Sequence, residues 1–307
     1  MRRSRVILNP AAGHGNGLRA KPRIEHFLAG QGLAFDLVQT QFPGHAIELA
    51  RQAVEEGADA IVAAGGDGTV NEVINGLMQS GEAADRLPYL GVLCVGRGND
   101  FSSGAGIPAD LEKGCQALRE LHTRRIDIGR VSGGKYPEGR YFANCVGVGF
   151  DAIGTIEVSK LPRWGGFASF VFAIFKTIFL YNHAPLATIE YGDQCITQRS
   201  LMISIMNGRR LGGGFIMAPD SKMDDGLLDI CIAGQMSSLQ IIRLLPHFTK
   251  GTQATQKTIK TGQASKITIT AQDGPLPSQT DGEIISTDGM RLEVELLPRQ
   301  IEIIYQP

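Results

Sequence analysis

Two different spacings of apolar residues divide the chain. Up to about residue 125, short buried runs alternate with stretches in which apolar residues recur every three or four positions. One pair is "AIVAAGG" followed by "TVNEVINGLM", where Val70, Val73, Ile74 and Leu77 fall on one helical face. The runs "RVILN", "FDLVQT", "AIVAAGG" and "LGVLCVG" read as strands, each followed by a helical stretch. This alternation predicts an α/β domain at 1–125, with a parallel sheet and crossover helices.

After Arg125 the spacing changes to short alternating runs separated by turn residues. They include "RIDIGRV", "YFANCVGVG", "ATIEYG", "LMISIMNG", "LLDICIAG", "KITITA", "RLEVELL" and "QIEIIY". This texture predicts a β-rich antiparallel domain at 126–297. For the last segment, about 298–307, a return to the first domain is left open. Two helices interrupt the strands, at Trp164–Tyr181 and at Ser237–Lys250, with Ser237 as the expected N-cap. The aromatic part of the first, Phe167–Tyr181, is either a core helix or a lipid-facing element.

Composition narrows the class of protein. With 30 Lys and Arg against 31 Asp and Glu in 307 residues, the net charge is -1, which argues against a nucleic-acid partner. None of the five cysteines forms a CxxC pair, so they are expected to be buried free thiols in a reducing compartment. No uncharged run reaches the 18 residues of a membrane span. A cytoplasmic protein is expected, with peripheral contact at the inner membrane face left open.

The stretch "AAGGDGTVNEVINGL" carries the candidate chemistry. Gly65, Gly66 and Gly68 lie in the turn before a helix, where glycine lets a ligand approach the backbone and the helix N-terminus offers unpaired N–H groups. This arrangement predicts a phosphate site, and the alternative is a tight strand–helix turn. Asp67 would repel phosphates unless a cation such as Mg²⁺ lies between them. The chain has no Walker A sequence, and "GVGFDA" is a weak match to a dinucleotide motif.

The chain resembles a known family along most of its length. "GGDGTVNEVING" resembles the signature of the diacylglycerol kinase catalytic domain, whose superfamily includes sphingosine and ceramide kinases and, more distantly, NAD kinases and phosphofructokinases. "NPAAGHG", "GVLCVGRGNDFSSGAGIP", "NGRRLGGGFIMAPDSKMDDGLLDI" and "TDGE" resemble further family blocks in the same order. Arg97 departs from the family's usual threonine and can still serve phosphate as a forked donor. The last two blocks favour a lipid kinase over an NAD kinase.

The resemblance implies roles for individual residues. Glu283 would be the general base, with Asp67 acting through Mg²⁺ and Asp127 important for activity. A structural Mg²⁺ would be held by the Lys222 carbonyl, the Asp225 carboxylate and the Leu227 carbonyl. The implied nucleotide-binding residues are Asn9, Pro10, Gly13, Thr40, Gly65, Gly66, Asp67, Gly68, Thr69, Asn71, Glu72, Arg97, Asn99 and Asp100.

The expected activity is therefore transfer of the γ-phosphate of ATP to the hydroxyl of a diacylglycerol-like lipid, giving a phosphatidate-like product. The implied cofactors are ATP and Mg²⁺, and the implied partners are the lipid substrate and, transiently, a membrane surface. Three alternatives stay open: a sphingoid or ceramide-type lipid kinase, an NAD kinase, and a nucleotide-sensing module without turnover. The oligomeric state is also open, with a homodimer among the options.

Overall fold

The computed structural model describes residues 3–160, 176–178 and 184–307. It divides the chain into two compact units. The first unit comprises Met1–Ile128, Met223–Asp225 and Leu297–Pro307, and the second comprises Gly129–Lys222 and Gly226–Leu296. The sequence leaves two interpretations of the aromatic segment Phe167–Tyr181, most of which lies outside the described residues.

The first unit is built on a parallel sheet, as the sequence predicts. Its strands are β1 (Ser4–Leu8), β2 (Phe35–Gln39), β3 (Ala60–Gly65) and β4 (Tyr89–Cys94), arranged in the order β2-β1-β3-β4 and all parallel. The helices are α1 (Ala12–Gly30), α2 (His45–Glu55), α3 (Asp67–Met78), α4 (Asp100–Gly104) and α5 (Leu111–Glu120). Helix α4 has only five residues, too few to show the apolar spacing by which a helix is recognised in sequence.

Apolar burial explains why these residues form these elements. The side chains of Val6, Ile7 and Leu8 are all at most 1% exposed, because helices cover both faces of a parallel sheet. The predicted face of α3 is buried as well, with Val70, Val73, Ile74 and Leu77 at most 2% exposed. A Cβ at Gly76 would stand 2.5 Å from the Ile47 carbonyl oxygen, so α3 packs on α2 backbone to backbone.

The second unit is β-rich and antiparallel, also as predicted. Its strands are the second half of β5 (Thr123–Gly133), β6 (Tyr136–Phe142), β7 (Cys145–Gly149), β8 (Leu186–Tyr191), β9 (Gln194–Met206), β10 (Arg210–Leu211), β11 (Phe215–Ile216), β12 (Leu228–Gly234), β13 (Ile259–Ala264), β14 (Lys266–Ala271), β15 (Ser278–Thr280), β16 (Glu283–Ser286) and the first part of β17 (Arg291–Ile304). The remaining residues of β5 and β17 belong to the first unit. Its helices are α6 (Phe150–Ser159) and α7 (Ser238–Lys250), with a short 3-10 helix at Gln253–Thr255.

Strand β9 organises this unit because its two halves pair with different strands. Its first half pairs with β8, and its second half lies between β7 and β12. The inward apolar side chains from both groups of strands, among them Ile189, Ile203, Ile230 and Ile269, form one core. Ser237 is the N-cap of α7, as predicted, and Gln240 accepts its backbone N–H at 2.8 Å.

Several elements differ from the sequence-based expectation. "YFANCVGVG" is split between β6 and β7, whereas "RLEVELL" and "QIEIIY" form the single strand β17. The break after Phe142 arises because the Ala143 and Cys145 amides bind the Asp281 carboxylate. The prediction of five buried thiols is wrong for Cys195, which lies exposed on β9, and Cys94 is only partly buried. No helix in the described part of the chain is long and apolar enough to cross a membrane.

Candidate functional site

Three loops of the first unit meet at the carboxyl ends of its strands. They follow β1, β3 and β4, which are neighbours in the sheet. The side-chain amide of Asn9 donates to Thr69 Oγ1 at 3.0 Å, and that of Asn16 donates to the Val95 carbonyl at 3.1 Å. Thr40 follows β2 at the same edge, and its N–H donates to the Leu8 carbonyl at 2.9 Å. This edge is where open α/β sheets bind their ligands.

The glycines after β3 have two different functions. A Cβ at Gly65 would collide with Thr69 Oγ1 at 2.3 Å, and one at Gly66 would lie 3.0 Å from the Gly98 carbonyl oxygen. A Cβ on Gly96 would meet Gly66 Cα at 2.4 Å. These glycines therefore let two backbone turns touch. Only Gly68 matches the predicted ligand approach, because it is exposed and a Cβ there meets nothing within 4 Å.

Asp67 has a structural contact that the sequence did not indicate. Its Oδ2 accepts the Asp100 N–H and its Oδ1 accepts the Phe101 N–H, both at 3.1 Å. The carboxylate thus binds the first amides of α4, where a helix N-terminus favours negative charge. Because Gly98 passes so close that a Cβ would stand 2.9 Å from Asp67 Oδ2, the turn after β4 closes over this acid.

Two of the implied nucleotide-binding residues, Asn71 and Glu72, form hydrogen bonds within the first unit. Glu72 accepts the backbone N–H groups of Gly44 and Ala46 at 2.9 and 3.2 Å, and so binds the start of α2. Asn71 is 3% exposed, and Asn75 donates to its side-chain oxygen at 3.1 Å within α3. Both side chains hold helices in place, and a contact of either with a nucleotide stays a prediction.

The loop after β1 is shaped by consecutive left-handed residues. Gly13, His14 and Gly15 have φ of 58°, 59° and 82°, so the start of α1 is irregular until Asn16. A Cβ at Gly13 would lie 2.8 Å from the Val95 carbonyl oxygen, which explains the need for glycine there. Asn9 turns the chain after β1 by accepting the Ala11 N–H at 3.0 Å, with Pro10 between them.

The loop after β4 carries the remaining implied contacts. Arg97 is exposed, and Asn99 is the N-cap position of α4. Asp100 is only 9% exposed, so its side chain is mostly withdrawn from solvent. Of these three, Arg97 presents the most accessible charge for a phosphate.

Asp127 lies in the interior of the first unit. It is fully buried in β5, and its Oδ1 accepts the Arg299 N–H at 2.7 Å. Arg299 has a φ of 53°, so the carboxylate stabilises a strained turn in β17. The Asp127 N–H donates to the Met223 carbonyl at 2.6 Å. These contacts show a structural function for Asp127, and its catalytic role stays a prediction.

The predicted structural Mg²⁺ ligands lie in the turn that precedes β12. Lys222 and Asp225 are exposed and Leu227 is half-buried. Met223, inside this turn, is the residue whose carbonyl binds Asp127. In the described part of the chain, no three His, Cys, Asp or Glu side chains cluster to hold a metal. A site of one carboxylate and two carbonyls does not need such a cluster and stays a prediction.

Glu283 begins β16, directly after a tight hairpin turn. Asp281 and Gly282 both have positive φ, 45° and 86°, as a two-residue hairpin requires. The Asp281 carboxylate is occupied by the Ala143 and Cys145 amides at 3.1 and 2.8 Å. The first two residues of the motif "DGE" thus form the turn. The side chain of the third, Glu283, is 42% exposed and so is accessible to a substrate.

Two partners of Glu283 were not found from the sequence. The Tyr136 hydroxyl donates to its Oε1, and Arg140 Nη2 lies 2.8 Å from its Oε2. Both belong to β6, four residues apart, and so project from the same face of the strand. In the sequence, only the spacing of Tyr136 and Arg140 could have indicated that they act together. It does not point to Glu283, because that residue lies more than 140 positions further along the chain.

The second unit also contains an apolar cavity. The space that the centre of a water-sized sphere can reach inside it is about 110 Å³. Its walls come from α6, β9, the β10–β11 hairpin and α7, and include Phe150, Leu201, Met217, Met236, Leu244 and Phe248. Among the described residues of this lining, Asp151 is the only acid. Ser204 Oγ donates to it at 3.2 Å, and burial raises the pKa of its carboxyl to about 6. The space suits a hydrocarbon chain.

Two domain models match this chain, and curated proteins resemble it over most of its length. Residues 3–131 match the diacylglycerol kinase catalytic domain model, and residues 144–305 match the YegS C-terminal NAD kinase beta sandwich-like domain model. A "Probable lipid kinase YegS-like" of Stenotrophomonas maltophilia is 30% identical, over 95% of this chain and 93% of its own. A diacylglycerol kinase of Bacillus subtilis is 30% identical, over 92% and 90%.

Solved structures show the same fold. A structure described as a diacylglycerol kinase from Bacillus anthracis superposes with a TM-score of 0.75 at 23% identity, covering all of this chain and 97% of the other. Yeast NADH kinase superposes with a TM-score of 0.56 at 10% identity, covering 99% and 84%. At these sequence identities, the two superpositions show only that the fold is shared.

Proposed function

Since the chain belongs to the diacylglycerol kinase catalytic domain family, we propose that it transfers the γ-phosphate of ATP to the hydroxyl of a diacylglycerol-like lipid. The products are ADP and a phosphatidate-like lipid. The observation that carries the proposal is the turn at Gly68, an exposed residue in the first turn of α3 with free space where a Cβ would stand, at the sheet edge where ligands bind.

The nucleotide is held by backbone and by a few side chains. At the start of α3 the Gly68 N–H is the donor for the phosphates, since the Asp67 and Thr69 N–H groups already donate to the Gly98 and Gly66 carbonyls. Arg97 provides a forked cation. Asn9 and Thr40 lie at the adjacent strand ends and complete the lining. Packing among Gly66, Gly96 and Gly98 makes this cradle rigid, so binding the phosphates requires little reorganisation.

The donor set fits a Mg²⁺ that arrives with the nucleotide. Asp67 is the one carboxylate in the phosphate turn, and each of its oxygens already accepts an amide. Mg²⁺ keeps several waters and binds through one or two carboxylates together with substrate phosphates, so a single acid is sufficient. When bound, the ion neutralises charge on the phosphates. Asp67 orients this assembly and fixes the turn after β4.

Glu283 is the proposed general base. It accepts the proton of the lipid hydroxyl as the new oxygen–phosphorus bond forms and the bond between the γ-phosphorus and the bridging oxygen of ADP breaks. The apolar cavity of the second unit is proposed to take an acyl chain of the substrate, which would arrive by transient contact with a membrane surface. This lining favours a lipid over NAD, since NAD has no hydrocarbon chain to bury there.

A transfer assay with radiolabelled ATP tests the proposal. Purified protein is given diacylglycerol, sphingosine, ceramide or NAD in separate reactions. We expect label in the phosphatidate-like product. Label in a sphingoid or ceramide phosphate would redirect the substrate assignment, and label in NADP alone would overturn the lipid assignment. ATP binding without transfer to any acceptor would favour the nucleotide-sensing alternative.

A further inference from the structure

The carboxylate of Glu283 is held by two donors from a single strand, β6. Tyr136 Oη donates to Oε1, and the Arg140 guanidinium contacts Oε2 at 2.8 Å. The Arg140 carbon Cζ also lies 5.5 Å from the centroid of the Tyr136 ring, so the two donors pack on each other. The Arg140 side chain is only 7% exposed, which makes its position well defined.

A general base on a hairpin needs such support. A glutamate that is 42% exposed would otherwise sample several rotamers, and a base acts only within about 2.6–3.2 Å of the proton it accepts. Each carboxylate oxygen has more than one lone pair, so one hydrogen bond per oxygen leaves an acceptor position for the substrate. The two donors thus restrict the side chain without using up its capacity to accept.

The tyrosine is suited to this function because it stays protonated. Burial, followed by the neighbouring Glu283, raises the pKa of Tyr136 to about 12. Its hydroxyl therefore donates to the carboxylate throughout the neutral range. The other acids near this hairpin have partners of their own: Asp281 accepts backbone amides of Ala143 and Cys145, and Asp151 accepts from Ser204.

From these contacts we propose that Tyr136 is a positioning residue for phosphoryl transfer, which orients the Glu283 carboxylate toward the lipid hydroxyl together with Arg140. The inference rests on the proposed function, because it presupposes that Glu283 is the base. It makes Tyr136 act through Glu283 alone, without touching nucleotide or lipid. Removing the hydroxyl should then affect turnover and leave ATP binding unchanged.

A double-mutant cycle tests this. The wild type, Tyr136→Phe, Glu283→Gln and the double variant are compared with radiolabelled ATP and diacylglycerol in mixed detergent micelles. The matched control is Tyr141→Phe, on the same strand one residue beyond Arg140 and on the opposite face. We expect Tyr136→Phe to lower kcat on the order of 10-fold, the cost of a slightly misplaced group, with KM for ATP unchanged.

The cycle separates positioning from general stability. In the Glu283→Gln background, Tyr136→Phe should cause no further loss, because the base it orients is gone. A full kcat in Tyr136→Phe, or the same fold loss in both backgrounds, would overturn the proposal. A melting temperature for each variant identifies losses that come from unfolding. If the wild type transfers no phosphate to lipid, the proposed function itself fails, and the positioning role fails with it.

Discussion

Replacing Asp67 with asparagine should cost both stability and activity. In the structure each carboxylate oxygen accepts one backbone N–H of α4, from Asp100 and from Phe101. Asparagine keeps one acceptor oxygen and turns an NH₂ group toward the second N–H. One charge-assisted bond, worth about 1.5–3 kcal/mol, is lost, and the remaining one becomes a weaker neutral bond. We expect the free energy of unfolding of the first unit to fall by about 2–4 kcal/mol.

The assay is denaturant and thermal unfolding of wild type and Asp67→Asn, followed by turnover at a temperature where both are folded. The stability loss corresponds to a fall of roughly 5–10 °C in the melting transition. Asp85→Asn, an exposed acid in the same unit, is the control for removing one negative charge. Turnover of the folded variant should also drop, since the phosphate turn loses its one carboxylate.

One result would refute the stabilising function of Asp67, and another would refute its function in phosphate transfer. Unchanged unfolding, equal to that of Asp85→Asn, would mean that the bonds to α4 contribute nothing to stability. Reduced stability with near-normal turnover in the folded variant would mean that Asp67 is a structural cap and has no part in phosphate transfer.

Three further predictions address other parts of the molecule. Gly68→Ala should fold normally and bind ATP more weakly, because its Cβ enters the free space proposed for phosphate. Gly96→Ala should be strongly destabilised, because its Cβ would meet Gly66 Cα at 2.4 Å. Equal ATP affinity in Gly68→Ala and wild type would contradict the proposed phosphate site. Asp225→Ala should abolish any rise in melting temperature that Mg²⁺ produces and EDTA removes in the wild type, and no ion effect on the wild type would count against a site there. The pKa of Asp151 is raised from 3.8 to about 6 in the folded state, so the folded protein binds this proton more tightly than the unfolded chain does. The free energy of unfolding should therefore fall as pH rises from about 4 to 6. Asp151→Asn should make this fall smaller, and an identical fall in the variant would refute the raised pKa of Asp151.

The sequence predicts best where a local pattern determines structure. The buried face of α3, from Val70 to Leu77, follows from helical spacing, and the N-cap Ser237 follows from capping chemistry. The parallel and antiparallel character of the two units follows from the period of the apolar runs. These features depend on residues only a few positions apart.

The sequence predicts poorly where distant segments meet. Gly66 looks like a ligand-facing glycine until the turn after β4 is seen to lie against it. Glu72 looks like part of the phosphate motif, but its partners are in the preceding helix, α2. Asp127 could not be recognised as buried, because its partners, Met223 and Arg299, lie about 100 and 170 positions further along. In each case the deciding contact is set by tertiary packing.

The central claim is that this chain phosphorylates a lipid hydroxyl with Glu283 as the base, and Glu283→Gln tests it most directly. The substitution keeps the shape of the side chain and removes its basicity. ATP affinity and the rate of phosphate transfer to diacylglycerol should be measured on the same preparation. We expect normal ATP affinity and a rate reduced on the order of 10²–10⁴-fold, the usual contribution of a positioned acid–base group. A variant that binds ATP normally and transfers phosphate within a few fold of the wild-type rate would contradict the account.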